Sequence, residues 1–300
     1  MTSPLNSMTW KNLTPPPLPR AGTPVTAIDG TLVVSGGTYW QDGVKYFASR
    51  ADRYDPATDT WTALPSLPGG LGDAPAIVFG GRVRIFGGGT TGPGGTTTWV
   101  LGENGWSEDA ALRLPASRRS SVAAVVGDRV FLLGGLSGNG TEFGTATSTV
   151  WAARATGGWT PCAPLPGPVR FNAAVGVVGG RILLAGGCTP DGGAVRNLDD
   201  VVAYDPVTDR WSELARLPLA LRGAWGVAVG DRLLVLGGYS DRFLTDIFAV
   251  SGADGKVERV GDLPEGLADA RFCAVGGRIY GVTGENGIKK RFPGLIMAEL

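Results

Sequence analysis

What this chain of 300 residues could do chemically is bounded first by a missing residue type: it contains no histidine. That removes Ser-His-Asp and Cys-His catalysis and nearly all zinc and copper sites. Cys162, Cys188 and Cys273 are widely spaced, form no CxxC pair and read as buried or incidental thiols. No phosphate-cradling GxGxxG or P-loop is present, because the glycine-rich stretches follow apolar strand-like runs and do not open helices. Neither a metal nor a cofactor is expected, so any chemistry must come from carboxylates, arginine, lysine or tyrosine.

The sharpest group of such residues is the segment GENGIKKR, with Glu285 six positions ahead of Arg291. A carboxyl flanked by guanidinium and two lysines suits proton transfer, with Arg291 or Arg271 holding an acidic substrate. The competing reading is a solvated charged hairpin that turns at Asn286-Gly287. A second set of arginines recurs at the starts of apolar segments: Arg20, Arg118 or Arg119, Arg170 and Arg222. Acids and aromatics stand in the loops expected beside them: Asp42, Glu142, Asp191, Asp241, Tyr39, Trp40 and Tyr239. Guanidinium groups bind carboxylates in two-point fashion and aromatic rings pack on sugar faces, so the set suits an anionic, hydroxylated ligand. The bland alternative is that each arginine ties neighbouring parts of the fold together.

The elements that must position these residues repeat. An apolar run ending in two glycines returns as VFLLGG, ILLAGG and LLVLGG, with earlier copies ending at Gly37 and Gly89. The first doublet positions are 36, 87, 134, 186, 237 and 283, where Thr283 replaces glycine, so the steps are 51, 47, 52, 51 and 46. Each repeat reads as four strands: a small apolar one, the doublet strand after a Gly-Asp or Gly-Gly turn, a third such as VVAYDP, and a fourth that opens with tryptophan. Trp61, Trp106, Trp159 and Trp211 hold that opening place and read as packing between repeats, and each fourth strand ends in Leu-Pro. Trp10 and Leu18-Pro19 supply at the N-terminus the phrase missing after the last repeat.

A period near 50 built of short strands predicts an all-β, six-bladed β-propeller of the kelch type, with the sixth blade closed by the N-terminal strand. The expected blades are about 20–68, 69–115, 116–166, 167–218, 219–264, and 265–300 joined with 1–19, making residues 1–300 a single domain. Because successive strands alternate in direction, the start of strand one and the loop after the doublet share one mouth of the central channel. Repeat alignment places Arg271 deeper along its strand, level with Ala174 and Trp225.

The phrases from doublet through Tyr-Asp-Pro to Trp and Leu-Pro resemble kelch repeats over the whole chain. The absence of histidine argues against the copper oxidases that share this architecture. More narrowly, GGTYWQDGVKYF from Gly36 and GENGIKKR are similar to two segments of the bacterial sialic acid mutarotase (N-acetylneuraminate epimerase) family. That resemblance implies an isomerase acting at the anomeric centre of an acidic sugar, with Glu285 as acid-base residue and Arg291 as carboxylate anchor. The substrate-binding set expected around them is Arg271, Arg222, Arg170, Arg119, Arg20, Trp40, Tyr39 and Trp225. The alternatives are a non-catalytic kelch module binding a protein or glycan through the same loops, and a metal-free lyase or cycloisomerase of another sugar acid.

Lys+Arg and Asp+Glu are both 27, so no global field favours nucleic acid or a membrane surface, and the expected partner is a small acidic sugar. No apolar run approaches the roughly 20 residues of a membrane span. The first residues have neither a basic nor an apolar region of a secretory signal, which predicts a cytoplasmic location.

Overall fold

The computed structural model describes residues 8–89, 95–137 and 145–300. Six antiparallel sheets stand around a channel. Their innermost strands are Val25–Ile28, Ala76–Phe79, Val122–Val126, Ala174–Val178, Trp225–Val229 and Arg271–Val275. Each touches its neighbours on both sides, so the ring closes. The sixth sheet consists of Arg271–Val275, Arg278–Val282, Leu295–Glu299 and the N-terminal strand Lys11–Leu13, with Lys11 opposite Met297. The chain is therefore a six-bladed β-propeller whose last blade is completed by the N-terminal strand, and it leaves no seam of unpaired edges at the closure. Among the described residues no helix is long and apolar enough to cross a membrane.

The doublets hold neighbouring blades together through the backbone. In each blade the second doublet N–H donates to a carbonyl at the start of the next blade, for example Gly187 to Leu221 at 2.9 Å and Gly238 to Leu267 at 2.7 Å. Gly284 closes the ring by donating to Arg20 at 2.7 Å. The first doublet glycine has a positive φ, and a Cβ there would press on that same carbonyl, at 2.8 Å in Gly186. Thr283 carries such a Cβ at φ 59, fully buried, with its hydroxyl unpaired.

The fourth-strand tryptophans Trp61, Trp159 and Trp211 latch adjacent blades, whereas the Trp106 indole N–H has no partner among the described residues. The Trp211 indole donates to the Ala163 carbonyl at 2.9 Å, while Asp209 accepts from the Ala163 N–H at 2.8 Å. Trp61 and Asp59 grip Thr14 in the same way. These rings also pack against core tyrosines, Trp61 on Tyr54 and Trp211 on Tyr204, both with centroids 5.0 Å apart.

Candidate active site at the channel mouth

Six residues lead into the innermost strands around the channel: Gly22, Asp73, Ser120, Asn172, Gly223 and Asp269. Each lies 14 residues ahead of the first doublet position of its own blade, from 36 − 22 to 283 − 269. All six adopt left-handed φ, between 49 and 63. The N–H of each of the last five donates to the carbonyl of the one before, at 2.6 to 3.1 Å, so backbone hydrogen bonds run around the channel as a belt. Left-handed backbone is strained for most side chains and least so for Gly, Asn and Asp, which fill five of the six places. A Cβ at Gly22 would collide with the Asp73 carboxylate, and the Asp269 carboxylate lies over Gly223 in the same manner.

The belt separates two cavities. On the loop side a cavity of about 240 Å³ is bounded by Arg222, Tyr239, Glu285 and Lys289, with Asn172 and Asp269 at its floor. On the strand side a larger one of about 340 Å³ runs along the innermost strands and contains Arg271 and Trp225. Asp269 lines both.

Glu285 opens a small hairpin, Glu285–Gly287 with Lys290–Arg291, whose turn is at Ile288-Lys289. The expected turn at Asn286-Gly287 is thus two residues early; Asn286 lies in the first strand and donates to Glu265 at 2.8 Å. Glu285 is fixed at its backbone by reciprocal bonds with Ala268, at 2.7 and 2.9 Å, and at its carboxylate by an ion pair with Arg291. Burial pushes its pKa up from an ordinary 4.5 to about 7, the nearby Asp269 charge adds to the rise, and Arg291 and Lys45 oppose it. Asp269 is also raised, first by burial and then by Asp73, against the pull of Arg271, Arg291 and Arg222. Two carboxyl groups that keep protons unusually well therefore face one cavity, opposite Arg222 and Lys289.

The arginines divide by their place in the repeat. Arg20, Arg118 and Arg170 occupy one position, where the other blades have Leu71, Leu221 and Leu267, and all six are buried. Arg20 donates to Asp52 and to the Gly36 and Arg50 carbonyls, all at 2.9 Å. Arg170 pairs with Asp200 at 2.5 Å, and Arg118 lies 4.1 Å over the Trp151 ring. The expectation that Arg20 and Arg170 bind substrate is corrected: both guanidinium groups are consumed inside the blade wall. Arg119 and Arg222 stand one residue later, which turns the side chain to the other face. Arg222 lies 4.6 Å over the Tyr239 ring and donates to Asn197 at 2.7 Å. Arg119 is half-buried beside Gly89 and lines neither cavity.

Arg291 also reaches into blade one, donating to the Thr38 carbonyl and hydroxyl at 2.9 Å each. Its side chain is 6% exposed, so it orients Glu285 and offers little to a carboxylate in the cavity. Tyr39 and Trp40 belong to the hairpin Thr38–Gln41 with Val44–Phe47, which packs against the Glu285 hairpin. The Tyr39 ring stacks on Tyr46 at 5.5 Å, and Lys289 lies 4.8 Å over Trp40. Arg271 and Trp225 sit together on the other side of the belt, the guanidinium 4.5 Å over the indole. Among the loop acids, Asp42, Asp191 and Asp241 are at exposed hairpin tips, and Glu142 lies outside the described residues. The sequence reading overlooked Asp73 and Asp269, and had Lys289 only as one of the two lysines flanking Glu285. The constant 14-residue offset of Gly, Asp, Ser and Asn ahead of each doublet was the available signal for the first two.

Residues 19–68 and 170–218 match the kelch motif. Kelch-like protein terF of Aspergillus terreus is 29% identical over 77% of this chain and 52% of its own length. Kelch-like protein 35 of Mus musculus is 27% identical over 77% of this chain and 38% of its own. N-acetylneuraminate epimerase of Brucella suis is 30% identical over 52% of this chain and 39% of its own. The matched region thus spans about half or less of these relatives. The solved structure of YjhT superposes with a TM-score of 0.79 over 94% of this chain and 95% of that one, at 18% identity. The chain is a kelch-repeat β-propeller. Within that class it resembles the bacterial N-acetylneuraminate epimerases as well as proteins named only as kelch-like.

Proposed function

We propose that the protein is an isomerase of an acidic sugar, a mutarotase that interconverts the anomers of N-acetylneuraminate or a related sialic acid. One observation carries this reading: Glu285, with its pKa near 7, faces a cavity together with Asp269, Arg222 and Lys289. Relatives named N-acetylneuraminate epimerase support the substrate class.

Ring opening requires one proton delivered to the ring oxygen as its bond to the anomeric carbon breaks, and one removed from the anomeric hydroxyl as that carbon becomes a ketone. With one proton held between the two facing carboxyl groups, Glu285 supplies the first and Asp269 accepts the second; closure on the opposite face of the ketone returns both, so the enzyme ends unchanged. A carboxyl with pKa near 7 is well matched to this work at neutral pH. Arg222 and Lys289 hold the substrate carboxylate, and Tyr239 with Phe243, edge to face at 5.2 Å, packs on the sugar. Arg291 keeps Glu285 in place and is not the anchor. The test is saturation-transfer NMR of anomer exchange with the native protein and Glu285→Gln. Exchange no faster than the spontaneous rate with the native protein would overturn the proposal.

One observation favours a second reading, a module that binds a protein or glycan. Val44, Tyr46 and Ile288 are large exposed apolar side chains on the two hairpins that rim this mouth. Capture of a ligand at the rim without anomer exchange would decide for it.

A further inference from the structure

The cavity beyond the belt is larger than the mouth and differently built. Its walls are short apolar side chains, among them Val25, Ile77, Val125 and Val177, and Ala228 at its far end is exposed to solvent. Repeat symmetry states what the propeller itself requires here. Arg271 pairs with Val282, the residue just ahead of the doublet, and in the same register Val122, Ala174 and Trp225 pair with Leu133, Ala185 and Leu236. In the first two blades the matching residues are Pro24 and Pro75, whose carbonyls accept from Ser35 and Phe86. Five blades close with an apolar residue at this place, so the fold does not need a guanidinium there.

The Arg271 guanidinium is held but not consumed. Its Nε donates to the Thr23 carbonyl at 3.0 Å and its plane lies on Trp225. Neither terminal nitrogen bonds to a described residue. Asp73 and Asp269 are near enough to act on its charge, yet neither forms an ion pair with it within 4.0 Å. A part-buried cation whose two terminal nitrogens face a cavity has donors to offer an acceptor held there.

We propose that this chamber is a second binding site, distinct from the mouth, for an α-amino acid with an apolar side chain. Arg271 takes the carboxylate in two-point fashion, its orientation already fixed by Thr23 and Trp225. The belt carboxylates Asp73 and Asp269, on the floor of the same chamber, accept from the ammonium group beside that carboxylate. The aliphatic walls take the side chain. A volume of about 340 Å³ lies within the range of small-molecule sites. A zwitterion satisfies Arg271 and the acids together, whereas a simple carboxylate would leave the acids facing its own charge.

Isothermal titration with L-leucine tests the proposal, with 4-methylpentanoate lacking the amine and isoamylamine lacking the carboxylate as comparators. Leucine is expected to bind, and each comparator to bind at least about tenfold more weakly, the usual loss when a charge-assisted pair goes unmade. Arg271→Met should abolish leucine binding, Asp73→Asn should weaken it, and Arg259→Met on the exposed outer edge should leave it unchanged. Asp73→Asn is polar and isosteric, so it remains informative should Arg271→Met fail to fold. No heat with leucine, binding unchanged in both site variants, or 4-methylpentanoate binding as tightly as leucine would each overturn it. Asp269 serves both sites, so anomer exchange is read separately, and the leucine titration of the Arg271 and Asp73 variants, neither of which is in the proposed catalytic pair, distinguishes failure of this site from failure of the proposed function.

Discussion

Glu285 makes a stability prediction that needs no substrate. Its pKa is about 7 in the folded protein against an ordinary 4.5, and a rise of that size is worth about 3 kcal/mol. The sign follows from proton counting. Below pH 4.5 both folded and unfolded chains hold the proton and there is no penalty. As pH rises to about 7 the unfolded chain releases the proton while the folded chain keeps it, so stability falls by up to about 1.4 kcal/mol per pH unit. Above that range both are ionised and the full cost remains. Glu285→Gln removes the titration. Chemical denaturation of both proteins from pH 4.5 to 8 should therefore show the variant gaining on the native protein by about 3 kcal/mol, most of it below pH 7. Adding Asp269→Asn to both backgrounds should shrink the gain, because the Asp269 charge is the second contributor to the rise. A stability difference that stays flat with pH would show that Glu285 titrates as an ordinary exposed carboxylate, and the argument from its burial would fail.

Three further predictions concern the frame. Thr283→Gly should raise stability by about 1 kcal/mol by relieving a β-branched residue at positive φ, seen as a higher Tm, whereas Gly186→Ala at the equivalent place should lower it by more than that. Arg20→Met should cost about 3 kcal/mol, because it strips a buried carboxylate of one partner and leaves Asp52 only the half-exposed Arg50; Arg20→Met with Asp52→Leu should recover much of the loss in the same denaturation assay. Trp211→Phe should cost about 1 kcal/mol, the net value of its bond to Ala163, and a ΔΔG near zero would refute the latch.

Much of the architecture was legible because the doublet carries two steric demands at once. Its first glycine avoids a carbonyl of the next blade and its second donates to that carbonyl, so the pair recurs wherever blades meet, and a 50-residue spacing reads directly as six blades. The closure was legible for a similar reason: Trp10 repeats the latch, its indole donating to Asp262 at 2.8 Å. The arginines were less legible because one residue of offset decides between wall and cavity. In Arg118-Arg119 the chain carries both orientations side by side, although Arg119 reaches neither cavity, and only the leucines at the equivalent places in other blades betray which is which. The Glu285–Arg291 pair was found from residue types alone. That Arg291 is committed to Thr38 depends on contact with another hairpin 253 residues away in the chain, which no local pattern encodes.

In a closed array of similar blades, what every blade shares is explained by the frame, so the residues that depart from the repeat must be explained otherwise. Here the departures gather in the sixth blade. Thr283 replaces a glycine, Arg271 replaces an apolar residue, and Glu285 follows the altered doublet directly. Asp269 lies between them on the belt and belongs to both cavities. The sixth blade is also the one completed by a separate, three-residue N-terminal strand. Its join to the first blade runs through the bond from Gly284 to Arg20 and from Arg291 to Thr38. The buried Arg20 thus serves the mouth without facing it: its guanidinium grips Asp52 while its carbonyl holds Gly284, the residue just before Glu285.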